Sequence, residues 1–91
     1  QERGVAAGGE RMIKVLFFGP VADRVGARQI DVAYRDGMRW QDVRDELRPQ
    51  YPDAFALVSI VAVNGERVRG EEGVPLSDGT EIVFMSRFSG G

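Results

Sequence analysis

The chain has 91 residues, 43% of them hydrophobic and 29% charged, which is enough for one domain with a core and too little for two. Twelve Lys and Arg against fourteen Asp and Glu leave a net charge of −2. That balance argues against nucleic acid as a partner, since phosphate neutralisation needs a basic face, and against a membrane-surface role. Cysteine and histidine are absent, so a disulfide framework, a Cys/His zinc site and a thiolate nucleophile are excluded. So is the side chain that ordinarily titrates near neutral pH. No metal ligand set is assigned, and no apolar run approaches the roughly 20 residues of a membrane helix.

Residues 1–11, with Gly4, Gly8 and Gly9 and no long apolar stretch, read as a flexible extension, either a remnant of expression or a natural arm. The domain is expected over residues 12–91. Met12-Ile13-Lys14-Val15-Leu16-Phe17-Phe18 is rich in β-branched and aromatic residues and stops at Gly19-Pro20, as a strand does. Residues 28–34 alternate, with Ile30, Val32 and Tyr34 on one face, and predict a second strand joined to the first through a longer loop containing Gly26. Trp40, Val43, Leu47 and Tyr51 follow helical spacing, predicting an amphipathic helix of about three turns. Pro49 should end it by disfavouring the helical region at Arg48. Its start looks poorly capped, because Arg39 stands where Ser, Thr or Asp is preferred and Asp42 compensates only through the dipole.

Val58–Val63 reads as a third strand, and Asn64-Gly65 as a tight turn into a short strand near Arg67 and Val68. Ser77-Asp78-Gly79 is a further turn, and Thr80–Met85 is the last strand. A hairpin, one main helix laid across a mixed sheet of four to five strands, and returning strands make an α+β arrangement. This order suggests a β-grasp, ubiquitin-like fold.

Chemistry of its own is hard to find in this chain. Asp42, Asp45 and Glu46 alternate with Arg44 and Arg48 at helical spacings, so they read as a solvated, ion-paired face rather than a catalytic acid pair. Glu71-Glu72 should be a solvent-exposed loop, and Gly8-Gly9 lacks the strand and helix of a phosphate loop. The apolar stripes say more. Ile13, Val15 and Phe17 can face the helix while Leu16 and Phe18 face away; Ile82 and Phe84 can face in while Val83 and Met85 face out. A sheet covered by one helix needs one apolar face, and these strands have two. Either loops or the tail cover the second face, or it is a docking patch containing Phe18 and Met85.

The chain ends Met85-Ser86-Arg87-Phe88-Ser89-Gly90-Gly91. The Gly pair removes every side chain beside the terminal carboxylate. Such a thread fits a channel too narrow for a Cβ and suits activation by another protein, first to an acyl-adenylate and then to a nucleophile.

These blocks together resemble the small subunit of molybdopterin synthase, a ubiquitin-like sulfur carrier family. Met12–Gly19 is similar to the family's first strand, Val25-Gly26 to its loop glycine, and Val63-Asn64-Gly65 to its Val-Asn turn. Pro75-Leu76-Ser77-Asp78-Gly79-Thr80-Glu81-Ile82 resembles its Pro-Leu-x-Asp-Gly-x-Glu segment, and Ser89-Gly90-Gly91 its end. The chain departs from the family where Ser86-Arg87 replaces two prolines, where Phe88 replaces a smaller apolar residue, at Arg39, and in the length of the loop from Asn64 to Pro75.

The resemblance implies a carrier with no activity alone that forms one subunit of a sulfurtransferase. An E1-like adenylating enzyme would activate the Gly91 carboxylate with ATP and Mg²⁺, and a sulfur donor protein would convert it to a thiocarboxylate. The large synthase subunit, in a two-plus-two heterotetramer, would hold the pterin precursor that receives the sulfur. It further implies that Gly90, Ser89 and Phe88 thread the tail, that Phe18 and Met85 contact partners, that the chain binds no cofactor itself, and that the location is cytoplasmic. Carriers of thiamine or cysteine synthesis and ubiquitin-like protein modifiers end the same way, so those alternatives stay open.

Overall fold

The structure, a computed structural model, describes residues 11–87. The chain order is β1 (Met12–Phe17), α1 (Gly19–Val25), β2 (Gln29–Ala33), α2 (Trp40–Leu47), α3 (Pro52–Phe55), β3 (Ile60–Val63), β4 (Glu66–Arg67) and β5 (Glu81–Met85). The strands form one five-stranded mixed sheet in the order β2-β1-β5-β3-β4. β1 and β5 run parallel at its centre; β2 pairs antiparallel with β1, and β3 antiparallel with both β5 and β4. This is the expected α+β, β-grasp arrangement.

Alternation along the strands decides what is buried, because successive side chains point to opposite faces. Ile13, Val15 and Phe17 of β1 and Ile82 and Phe84 of β5 are fully buried beneath the helices. Trp40, Val43 and Leu47 of α2, Val21 of α1 and Ala54 of α3 close over them. At one end Phe17 stacks on Phe84 with centroids 6.1 Å apart, and Phe55 meets both rings edge-on at 6.4 and 5.0 Å. This trio pins α3 to the C-terminal ends of β1 and β5. Aromatic pairs of this geometry contribute about 1 kcal/mol each beyond area burial.

Four local features differ from the sequence expectation. The β1–β2 connection is not a plain loop but contains α1. Pro20 lies in its first turn and Gly26 caps its end at φ +86°, its N–H on the Ala22 carbonyl. Buried Val21 and half-buried Ala22 and Val25 give it a reason to pack. α2 has 8 residues, about two turns rather than three. Arg48 nonetheless stays helical (φ −56°, ψ −44°) in front of Pro49. The Gln50 and Tyr51 N–H groups both donate to the Leu47 carbonyl, and Tyr51 packs against the core, so tertiary contact overrides the local preference. The start of α2 is better capped than Arg39 suggests, because the Asp42 carboxylate accepts the Arg39 N–H at 2.8 Å. That is the return half of a capping box. Finally, α3 is a helical turn that its four residues gave too little periodicity to reveal.

The Asn64-Gly65 turn forms as expected, with φ +50° and +85°, the pair of positive values a two-residue hairpin turn of this hand requires.

Candidate functional site

Among the described residues, one face of the sheet has no helix on it. Register builds its surface row by row, because paired residues share a face. Leu16 pairs with Val83 and Val83 with Ala62; one row further along, Met85 pairs with Ile60. All five are half-buried. Charged residues mark the other end of the stripe, where Lys14 pairs with Glu81 and with Asp31. The apolar rows therefore lie toward the C-terminal ends of β1 and β5, the end at which the chain leaves the sheet for Ser86 and Arg87.

Phe18 and Met85, the two partner-binding candidates, both lie at this end. Phe18 follows β1 with extended backbone, and its N–H reaches the Phe84 carbonyl at 3.4 Å, which carries the parallel register one step past Phe17–Phe84. That step sets Phe18 beside Met85. Phe18 is 44% exposed, the one large hydrophobic so exposed among the described residues. Beside it lies a shallow depression of about 350 Å³ bordered by Ala22, Asp23 and Arg28. Leu16 and Val83 face out as their strands' alternation predicts. Alternation alone does not select Ile60 and Ala62, because Ile60–Val63 is apolar throughout and the pattern cannot say which side is in. Pairing with β5 decides it.

Gly91, Gly90, Ser89 and Phe88 lie outside the described residues. The segment they follow has a defined start. The Arg87 N–H donates to Ser59 Oγ at 2.8 Å, and the Ser59 N–H donates to the Met85 carbonyl at 3.0 Å. Ser59 was not singled out either; a lone serine before an apolar strand carries no signal for this.

The acidic residues of α2 take structural roles. Asp42 caps the helix, Asp45 pairs with Arg44 at 3.0 Å, and Glu46 lies 3.7 Å from Arg35. Arg44 also pairs with Glu71 at 3.0 Å and lies over the Trp40 ring at 5.0 Å. Partial burial works against its charge, but the hydrogen bonds to Glu71 and Asp45 outweigh that and hold its pKa above the ordinary arginine value. It stays a cation at any working pH. Glu71 and Glu72 are exposed as expected, and their carbonyls are tied to α2: Glu72 accepts Trp40 Nε1–H and Glu71 accepts Gln41 Nε2–H, both at 2.8 Å. No helix among the described residues is long and apolar enough to cross a membrane.

An apolar face ending at a fixed chain exit, with no acid–base pair beside it among the described residues, can bind a partner. The chain and its fold have known relatives. The chain is 28% identical over 81 residues to the molybdopterin synthase sulfur carrier subunit of Chlamydomonas reinhardtii, spanning 87% of this chain and 98% of that protein. Its fold matches the putative molybdopterin converting factor, subunit 1, of Pyrococcus furiosus with a TM-score of 0.70 at 20% identity, covering 84% of this chain and 97% of that one. It matches the small archaeal modifier protein 1 of H. volcanii equally well, with a TM-score of 0.70 at 21% identity and the same coverage. The model of the ThiS family matches residues 15–91, and the chain belongs to that family.

Proposed function

We propose that this protein is the sulfur carrier subunit of a molybdopterin synthase, and that its reactive group is the Gly91 carboxylate. The observation that carries the reading is the apolar face of Leu16, Val83, Met85, Ile60 and Phe18 at the end of the sheet from which the C-terminal segment departs. A partner on that face sits where it can receive the tail. The Chlamydomonas reinhardtii relative, a molybdopterin synthase sulfur carrier subunit matched over 98% of its length, supports the same reading.

In this reading an E1-like enzyme uses ATP and Mg²⁺ to join the Gly91 carboxylate to AMP, releasing pyrophosphate. The persulfide sulfur of a donor protein then attacks the acyl carbon and AMP leaves; a second thiol of the donor cleaves the resulting acyl disulfide, ending in a protein disulfide and freeing the Gly91 thiocarboxylate. The large synthase subunit, two copies with two carriers, takes the tail and holds the pterin precursor that accepts the sulfur. Gly90 keeps the thread slender, Ser89 and Phe88 thread with it, and Phe18 and Met85 make the docking contacts. The carrier binds no cofactor itself, and the cytoplasm is where it works. Docking contributes roughly 25 cal/mol per Å² of apolar area before association costs. A modest interface therefore suits a carrier that must be released and reloaded.

Intact mass spectrometry tests the proposal. After incubation with the activating enzyme, ATP and sulfur donor, the mass should rise by the difference between sulfur and oxygen, and deletion of Gly91 should abolish the rise with the fold intact. A truncated chain that still supports pterin sulfuration overturns it. The fold shared with the small archaeal modifier favours one second reading, a protein modifier. That would appear as higher-mass conjugates on a denaturing gel, with no thiocarboxylate required.

A further inference from the structure

A second concave surface lies on the helix side of the sheet, between α2 and the β3–β4 edge. It is a groove of about 550 Å³, within the range of binding sites. Half-buried Phe55, Val58 and Val61 contribute its apolar surface. Four arginines also line it: Arg44, Arg48, Arg67 and Arg69. They are not equivalent. Arg44 is neutralised by Asp45 and Glu71, whereas the guanidinium groups of Arg48, Arg67 and Arg69 are exposed and form no salt bridge among the described residues, the Glu72 carboxylate accepting only the Arg69 backbone N–H at 3.0 Å.

A chain with net charge −2 thus sets four arginines against the one carboxylate of Glu71 on one concave wall. A cleft in which one sign of charge predominates focuses the field and concentrates the opposite charge. Guanidinium groups fit carboxylates in bidentate geometry and are weakly hydrated enough to give up water on pairing. The apolar floor requires more than a bare anion, since it stays wet unless something apolar covers it. Ser59 lines the same groove and holds the Arg87 N–H, so an occupant would lie against the root of the C-terminal segment.

We propose that this groove is a second docking site and that its occupant is an acidic segment of a partner protein with apolar anchors. Carboxylates pair with Arg48, Arg67 and Arg69, and an aliphatic side chain covers Phe55, Val58 and Val61. The groove and the open face are on opposite sides of the sheet, so both can be engaged at once.

The test uses the full chain, labelled with ¹⁵N, and an acetylated peptide of alternating Glu and Leu. Its Lys–Leu counterpart, inorganic phosphate and ATP serve as comparison probes. The acidic peptide should shift the amides of Ser59, Val68, Arg69 and Gly70 and leave those of Leu16 and Val83 in place, with affinity falling as salt is added. The triple variant Arg48→Gln, Arg67→Gln, Arg69→Gln should bind about tenfold more weakly and keep its thermal midpoint, since all three residues are exposed. No shift in the groove, shifts on the open face alone, or undiminished binding by the triple variant overturns the proposal. So does equal binding of the basic peptide. Phosphate or ATP producing the same shifts at lower concentration overturns it too, by assigning the groove to a small anion.

Discussion

Ser59 Oγ accepts the backbone N–H of Arg87 at 2.8 Å, and this bond extends the pairing of β3 with β5 past the last strand residue. Ser59 holds both sides of the exit, because its own N–H donates to the Met85 carbonyl. The C-terminal segment therefore leaves the sheet from a fixed point between the open face and the arginine groove. In the proposed function the reactive atom is at the far end of a slender chain, so the direction of departure sets where the terminus can reach.

Ser59→Ala should loosen the exit at a modest cost in stability. The residue is exposed, and one such hydrogen bond contributes about 1 kcal/mol, so the melting midpoint should fall by no more than about 4–8 °C. The Arg87 amide should exchange with solvent about fivefold faster, and Ser59→Thr should restore the protection. Unchanged exchange at Arg87 in the alanine variant would show that the hydroxyl does not hold the exit.

Phe18→Glu and Met85→Glu should each weaken binding of the large subunit or the activating enzyme by about thirtyfold, the size expected when a buried interface anchor is lost. Phe18 is 44% exposed, so its replacement should change stability by no more than about 0.5 kcal/mol. Titration calorimetry against either partner gives the affinity, and circular dichroism checks the fold. Full affinity in both variants would move the interface elsewhere.

Asn64 joins the β3–β4 turn to β5 twice. Its N–H donates to the Glu81 carbonyl at 2.8 Å, and its side-chain oxygen accepts the Glu81 N–H at 3.0 Å. It does so at φ +50°, a conformation Asn tolerates better than most residues. Asn64→Ala removes one bond and adds backbone strain, together costing about 2 kcal/mol. Asn64→Gly removes the bond without the strain and should cost about half as much. Urea unfolding of the two variants separates these contributions.

The sheet and α2 were legible in the sequence because their signals are periodic. Ile13, Val15 and Phe17 alternate with Lys14 and Leu16, and Trp40, Val43 and Leu47 recur at helical spacing. The outward Phe18 and Met85 followed from the same alternation. What the sequence hid depends on contacts between distant segments. α1 and α3 are too short for periodicity and are fixed by packing on the core. Ile60 and Ala62 acquire a face only through their register with β5. Arg48, Arg67 and Arg69 come from α2 and from the chain around β4, and only folding brings them to one groove.

Trp40 offers the last prediction, and magnitudes decide which of its contacts matters. Its indole N–H donates to the Glu72 carbonyl at 2.8 Å, with Gln41 Nε2 a longer partner to the same oxygen at 3.2 Å. The neighbouring Arg44–Glu71 pair ties the same loop, but Glu71 is 73% exposed, and exposed pairs contribute at most about 1 kcal/mol. Glu71→Gln should therefore change stability by less than about 1 kcal/mol. Trp40→Phe removes the N–H and leaves a void at a site only 3% exposed, which should cost about 2–3 kcal/mol and lower the midpoint by about 10 °C or more. Because Trp40 is the single tryptophan, circular dichroism must follow the unfolding of this variant. Equal losses for Glu71→Gln and Trp40→Phe would mean that the ion pair, not the indole, clamps the loop to α2.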